Sequence, residues 1–522
     1  MSDAPAEASL PAPAIVPPSR LRWNAAANLA GTAWASLLGI ALVPLYLRYL
    51  GIEAYALVGL YTVIQTSLTI FDLGLGLTVT RGMARLSVKP DAARAQRDLL
   101  RSVEVVYWSV AAILGAAIFF AAGPIARYWI RPGALPLATV VMAVRLMGLV
   151  NAFAFPVSLY RAALLGLDRQ VVMNGVMITL GTIRGLGAVL VLIVIAPAIQ
   201  VFFAWQAVAT AALTATLAFF AWRSLRADVL PQFRRDLLRE EWPYALRVSS
   251  ALVLNMFLAN IDKILLSGIL PLAAFGYYAL AATLAQAPLL VSNPLNTAVF
   301  PRFTRLFETR NEEEMAALYH TTTQAAAVLV LPGSALLAAF APVILRLWTR
   351  NPAAAANGSI IATILVCATA LVAVVSVSGY LASAGGRPQV MTQVNLAAAA
   401  FIVPAMMFVA PRYGAPGAAL VWASVGAFHL LGAVPLTHRY FLPREMWRWY
   451  VDDLAKPLLA IAALLIPARL WLPWPHGALL TLFELVAIFA ACTIAAVLAT
   501  SRVRALALRL LRVRPASSSR PR

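Results

Sequence analysis

Apolar runs long enough to cross a bilayer recur fourteen times in this chain, and that recurrence constrains the fold more than any other feature. A spanning helix needs about 20 predominantly apolar residues. The runs lie near residues 24–47, 55–82, 100–122, 135–160, 171–195, 198–222, 244–267, 273–302, 317–345, 358–384, 389–410, 415–437, 453–473 and 477–500. Only Ala196-Pro197-Ala198 separates the fifth from the sixth. Backbone in lipid must satisfy its own hydrogen bonds, so each run is expected to be a helix. The alternation of a membrane β-barrel is absent. The expected fold is therefore all-α and polytopic, with about fourteen transmembrane helices.

Composition removes the soluble alternatives. Charged residues are 12% of the chain, against roughly 25% in soluble domains, too few to cover 522 residues of water-facing structure. Two cysteines, Cys367 and Cys492, exclude a disulfide framework, and four scattered histidines offer little for a metal site. No Walker-type glycine loop, zinc spacing or dinucleotide fingerprint occurs, and no catalytic residue or cofactor is expected.

Orientation follows from the positive-inside rule. With both termini in the cytoplasm, 31 of the 41 Lys and Arg residues fall on the cytoplasmic side and seven outside. Three, Arg145, Arg184 and Lys263, lie inside the membrane. The net charge of +20 is thus topology and lipid anchoring rather than nucleic-acid binding. The tail Ser501–Arg514 reads as an interfacial helix. Asn311 and Glu314 fit a capping box opening the ninth helix. Asp452 and Asp453 read as helix-start charges.

The chain also repeats itself. Tyr55-Ala56-Leu57 returns as Tyr278-Ala279-Leu280, and Thr80-Arg81 with Arg85-Leu86 as Pro301-Arg302 with Arg305-Leu306. Tyr160 and Gln170 flank a Gly-Leu-Asp-Arg turn as Tyr380 and Gln389 flank Gly385-Gly386-Arg387. The offsets stay between 219 and 223 residues. Six helices repeated in the same orientation give two lobes with a substrate site between them. The expected organisation is a disordered head over 1–19, an N-lobe over 20–222, a basic linker over 223–243 and a C-lobe over 244–437. Helices 13 and 14 then occupy 438–500, and a basic cytoplasmic tail 501–522.

A charge at the bilayer centre costs roughly 2.5–3.5 kcal/mol on insertion scales, so it should face a cavity or a partner. Asp72, Arg145, Arg184, Asp262, Lys263 and Glu484 are the candidates, and Glu484 is given no role. Polar stripes accompany them: Asn24 and Asn28 on the first helix, Gln65 on the second, Asn174 on the fifth, and Asn255 and Asn260 on the seventh. Asp262 and Lys263 are adjacent, so they are expected to point about 100° apart and find different partners. One reading is structural, an ion pair of Asp72 with Arg145 or Arg184. The other is a polar cavity with a cationic excess, suited to an anionic substrate.

Several segments resemble a known family. Asn24-x3-Asn28 leads to Val43-Pro44-Leu45-Tyr46-Leu47, Leu50-Gly51-Ile52-Glu53-Ala54-Tyr55 and Phe71-Asp72-Leu73-Gly74-Leu75-Gly76. With Asn260-Ile261-Asp262-Lys263 and Pro411-Arg412-Tyr413-Gly414-Ala415-Pro416-Gly417-Ala418-Ala419, these resemble polysaccharide transporters. Those are the lipid-linked oligosaccharide flippases of the multidrug/oligosaccharidyl-lipid/polysaccharide exporter superfamily. The resemblance implies a V-shaped cavity that opens alternately to either side of a bacterial inner membrane. A polyprenyl-pyrophosphate-linked oligosaccharide would enter it, without covalent chemistry. Arg145, Arg184 and Lys263 would bind pyrophosphate or acidic sugars, and Asp72 and Asp262 would carry H+ or Na+ coupling or balance those cations. Membrane lipids, a polysaccharide polymerase and export machinery are the implied partners. A lipid II flippase and a cation-coupled multidrug exporter are the rivals within the superfamily. A membrane glycosyltransferase or polymer ligase is the rival from another class, but such enzymes need an acidic external loop. The longest external loops here, near 123–136 and 346–358, contain no acid.

Overall fold

The structure, a computed structural model, describes residues 18–72, 74–87, 92–225, 230–239, 260–471 and 477–512. Among these residues there is no strand, and eleven helices are long and apolar enough to cross a membrane. In chain order the elements are α1 (Pro18–Leu68), α2 (Leu75–Leu86), α3 (Ala92–Pro124), α4 (Leu137–Ala154), α5 (Val157–Gly166), α6 (Gln170–Val194) and α7 (Ile199–Ser224). The second half has α8 (260–269), α9 (Leu272–Ala285), α10 (Ala287–Glu308), α11 (Glu312–Ala339), α12 (Ala341–Thr349), α13 (Pro352–Ala384), α14 (Gln389–Phe428) and α15 (Val434–Phe441). The chain finishes with α16 (Met446–Trp471), α17 (Ala478–Ala499) and α18 (Ser501–Arg512).

Two of the eleven long helices each contain two crossings. α1 bends at Gly51 (φ 76°, ψ 172°) and α14 at Gly414 (φ 63°, ψ −154°). Both angle pairs belong to a region that only glycine enters cheaply, so the helix reverses at one residue instead of through a loop. Counted by limbs, thirteen of the fourteen expected crossings are present. The remaining one, 244–267, is described only from residue 260. The expected break at Ala196-Pro197-Ala198 is where α6 ends and α7 begins.

One expectation needs correction. The second crossing is not one helix over 55–82. It passes through a 3-10 turn, Thr69–Asp72, and then Gly74 at φ 67° before α2 starts. The reason is local: Gly74 enters the left-handed region without a Cβ clash, and Asp72 accepts the backbone N–H of Gly76 in the first turn of α2.

The internal repeat recurs bond for bond at the α5–α6 and α13–α14 turns. Asp168 N–H donates to Leu165 O (3.2 Å) and Arg169 N–H to Leu164 O (2.8 Å). Gly386 N–H donates to Ser383 O (3.1 Å) and Arg387 N–H to Ala382 O (2.9 Å). Asp168 (φ 55°) and Gly386 (φ 75°) occupy the same left-handed position, as a Schellman closure requires. The ninth-helix cap is also as expected, with Glu314 N–H donating to Asn311 Oδ1 at 3.1 Å.

Three groups of buried apolar side chains hold the helices together. One mixes both halves, residues 43–207 with 261–421. The second draws only on residues 303–496, and the third only on 75–225. The shared group lies at the helix ends near 51, 131–136, 197, 270 and 414. The third group lies toward the opposite ends, near 166–169 and 225, which carry the basic loops; the second runs through its half from Phe303, Tyr319 and Leu381 at that end to Leu336, Phe340 and Leu485 at the other. Among the described residues, the two halves therefore share a buried core toward one end and keep cores of their own toward the other.

Candidate functional site: the cleft between the halves

The joined end is sealed by polar contacts as well as apolar ones. Leu272 N–H donates to Arg131 O at 3.0 Å, Trp129 Nε1 to Ser267 Oγ at 2.9 Å, and Trp348 Nε1 to Ile40 O at 3.2 Å. Glu53, just past the Gly51 bend, accepts the backbone N–H groups of Ala134 (2.9 Å) and Leu135 (3.1 Å). That carboxylate fixes the connecting loop beside the seal.

Below the seal, α1 and α6 interlock through amides. Asn174 Nδ2 donates to Asn28 Oδ1 (2.6 Å) and to Gln170 O (2.9 Å), and Asn28 Nδ2 donates to Gln170 Oε1 (2.9 Å). Trp34 Nε1 donates to Thr182 Oγ1 at 2.8 Å. Gln170 was missed in the sequence because its role depends on facing Asn28 across 142 residues. Gln65 and Asn260 are half-buried, while Thr62 is exposed. The side chain of Asn24, and Asn255 altogether, lie outside the described residues. Gln286, which caps α10, forms an exposed polar stripe with Asn293 and Thr297 on that helix, and prolines interrupt the periodicity that would reveal it in the sequence.

The expected charges do not form one cluster. Arg184 is half-buried in the first half, within electrostatic reach of the Tyr46 and Tyr61 hydroxyls. Tyr46 itself donates to Gly185 O at 3.0 Å. Arg145 is exposed, its guanidinium 5.2 Å from the centre of the Phe119 ring on the neighbouring α3. Asp262 and Lys263 do not seek separate partners: Lys263 Nζ lies 3.5 Å from Asp262 Oδ1. The four-carbon lysine stem curls back across the 100° that separates the two side chains on the helix. Asp262 is buried and also accepts from the Tyr278 hydroxyl at 2.8 Å.

Asp72 pairs with neither Arg145 nor Arg184. The Tyr107 hydroxyl donates to it in a short hydrogen bond, and Ser158 Oγ donates at 3.2 Å. The repeat places Ser292 and Ser376 at the corresponding positions, and their hydroxyls are also 3.2 Å apart. Asn296 Nδ2 joins them, 2.6 Å from Ser376 Oγ. One half thus presents a carboxylate where the other presents hydroxyls and an amide.

Asp453 likewise departs from expectation. It is fully buried (0%) against His320 and Gln324 rather than a surface charge at a helix start, because α16 starts before it, at Met446. Asp452 does face the basic loop, 2.6 Å from Lys456 Nζ.

The sequence profile of the polysaccharide biosynthesis protein family matches residues 21–307 of this chain. No curated protein matches it. Among solved structures, a lipid II flippase, MurJ, in an inward closed conformation is similar with a TM-score of 0.67 at 13% identity, over 92% of this chain and 99% of that one. An inward-facing multidrug resistance MATE family transporter of the MOP superfamily has a TM-score of 0.64 at 14% identity, over 80% of this chain and 98% of the other. A MOP superfamily transporter from Pyrococcus furiosus, described as having a binding pocket of reversed polarity, has a TM-score of 0.56 at 14% identity, over 82% and 96%. At these identities the likeness is one of fold.

Proposed function

Because the chain belongs to the polysaccharide biosynthesis protein family, we propose that it is a flippase. Its substrate is a polyprenyl-pyrophosphate-linked oligosaccharide, the repeat unit of a surface or secreted polysaccharide. It moves that unit from the cytoplasmic to the periplasmic leaflet by alternating access, and breaks no covalent bond. The observation that supports this reading is that, among the described residues, the halves share a buried core only toward the end without the basic loops, while toward the basic end each keeps its own. With basic loops cytoplasmic, the cleft opens to the cytoplasm of a bacterial inner membrane and both termini lie inside.

The charged head of the substrate enters the cleft while its lipid tail stays in the bilayer. Arg184 is the cation we assign to pyrophosphate or acidic sugars, since guanidinium and phosphate match in geometry. Lys263 is already matched by Asp262, so it takes an anion only when that pair opens. Arg145 has the weaker claim, set against Phe119. Asn28, Gln65, Asn174 and Asn260 supply neutral hydrogen-bonding groups suited to sugar hydroxyls. Asp72 and Asp262, held by hydroxyls, are the positions for H+ or Na+ coupling. Polysaccharide polymerase and export machinery are the partners this role implies.

The test is accumulation of lipid-linked oligosaccharide in a deletion strain, with its sidedness read by an impermeant sugar-modifying reagent. The intermediate is expected to build up on the cytoplasmic face and to be cleared by the wild-type gene. Normal export of the intermediate together with reduced dye efflux would instead mark a multidrug exporter. Rescue of cells depleted of their lipid II flippase would mark that activity.

A further inference from the structure

A buried titratable cluster lies away from the cleft, in the second half. His320 on α11 is 0% exposed, and each of its ring nitrogens meets a carboxylate. Nδ1 lies 2.5 Å from Asp453 Oδ2 and Nε2 lies 3.0 Å from Glu445 Oε2. Gln324 Nε2 donates to the other Asp453 oxygen at 2.8 Å. Gln324 Oε1 in turn accepts the backbone N–H of Arg502 at 2.9 Å, and Arg502 Nη1 donates to Ala317 O at 3.3 Å. One chain of hydrogen bonds therefore ties α11 to α16 and to the basic helix α18.

A neutral imidazole has one N–H and one lone pair. With both nitrogens aimed at carboxylate oxygens, the neutral ring sets a lone pair against an acceptor at one of the two contacts. Both contacts become attractive only when the triad holds one proton more than a neutral ring and two carboxylates. The nitrogens point to opposite sides of the ring, so no single metal ion can be shared by all three residues.

The neighbouring charges leave that balance intact. Asp452 is occupied by Lys456 (2.6 Å) and Arg448 (3.7 Å), and Arg448 also reaches Glu445 at 3.5 Å. Tyr319 gives its hydroxyl to a pair with Ser378 Oγ at 2.7 Å. His438 lies across the Tyr319 ring, 5.5 Å away, with Nδ1 against Val434 O. Glu445 is 27% exposed while Asp453 is buried, so a proton has an entrance at one end of the triad.

We propose that Glu445, His320 and Asp453 form a proton-binding site, loaded at neutral pH, whose proton fastens α16 and the basic helix α18 to α11. The proposal does not depend on what the protein carries, and its test reads no transport. The full chain, labelled with 15N-histidine and reconstituted in lipid nanodiscs, has four histidines, and His320→Gln identifies the signal of interest. At pH 7.5 a free imidazole, with a pKa near ~6.5, is mostly neutral. We expect both His320 nitrogens to carry protons at that pH, and one of them to lose its proton in Asp453→Asn. A singly protonated His320 at pH 7.5 with both Asp453 and Glu445 ionised, read from their 13C carboxyl shifts, would overturn the proposal.

Spin labels at Glu313→Cys and Leu508→Cys, in a background without Cys367 and Cys492, follow the fastening of α18 separately. One narrow distance is expected at pH 6.5, spreading at pH 9.5. An unchanged distance after the proton has left would refute the fastening. Glu445→Gln at the exposed edge serves as a milder variant should Asp453→Asn fail to fold.

Discussion

Asp72 lies in a membrane-spanning segment with hydroxyl groups as its side-chain partners. Tyr107, Ser158 and the Gly76 amide together replace the water it gives up. Leaving buried donors unmatched costs about 1–3 kcal/mol, so Asp72→Leu is expected to destabilise the protein by that order, read as earlier loss of the monodisperse peak on heating. Asp72→Asn keeps an acceptor and should lose less. A double-mutant cycle with Tyr107→Phe is expected to show coupling of roughly 0.5–3 kcal/mol, and simple additivity would remove the pairing. The sequence marks Asp72 clearly, as an acid inside an apolar run. Its partners are 35 and 86 residues away, and no local periodicity reports them. His320 was harder still, since a lone histidine on an apolar helix looks the same whether or not two carboxylates close on it.

At the level of elements, crossing number and repeat are legible because both rest on spacing along the chain. Helix geometry is less legible where it hangs on one residue. The Leu50-Gly51-Ile52 and Tyr413-Gly414-Ala415 segments look like short loops between helices, yet each is a single bend. A Cβ at either glycine forces a backbone that ordinary residues avoid at about 1–3 kcal/mol. Gly51→Ala and Gly414→Ala are each expected to destabilise by that amount in the same heating assay, although neither glycine is tightly packed. The repeated turns give a finer test. Asp168 holds a left-handed conformation that Gly386 holds in the other half. Asp168→Gly is expected to be neutral or mildly stabilising, and Gly386→Ala to cost about 1 kcal/mol. Equal effects at the two positions would mean that the turns are not equivalent.

At the scale of the whole molecule, alternating access requires that the shared core between the halves can open. Its apolar part is large, and its polar contacts include one at the rim, where Leu272 N–H meets Arg131 O at 3.0 Å. Backbones joined by such a bond bring side chains near enough for a disulfide, which needs Cα atoms about 4.4–6.8 Å apart. In a background without Cys367 and Cys492, Arg131→Cys with Leu272→Cys is expected to cross-link on mild oxidation. On the proposed orientation, the locked protein should still bind substrate from the cytoplasmic side, which the bridge does not close, but should not release it outside. Clearance of lipid-linked oligosaccharide should therefore stop on oxidation and return with reductant. Clearance that persists with the bridge intact would mean that the halves do not part at this end, and that the substrate leaves by another route. Arg184 adds a constraint of its own. It lies in the first half near Tyr46 and Tyr61; if it holds the substrate's anion as proposed, opening the seal would bring water to that pair. That hydration weakens the ion pair, which supplies a physical reason for release on the far side.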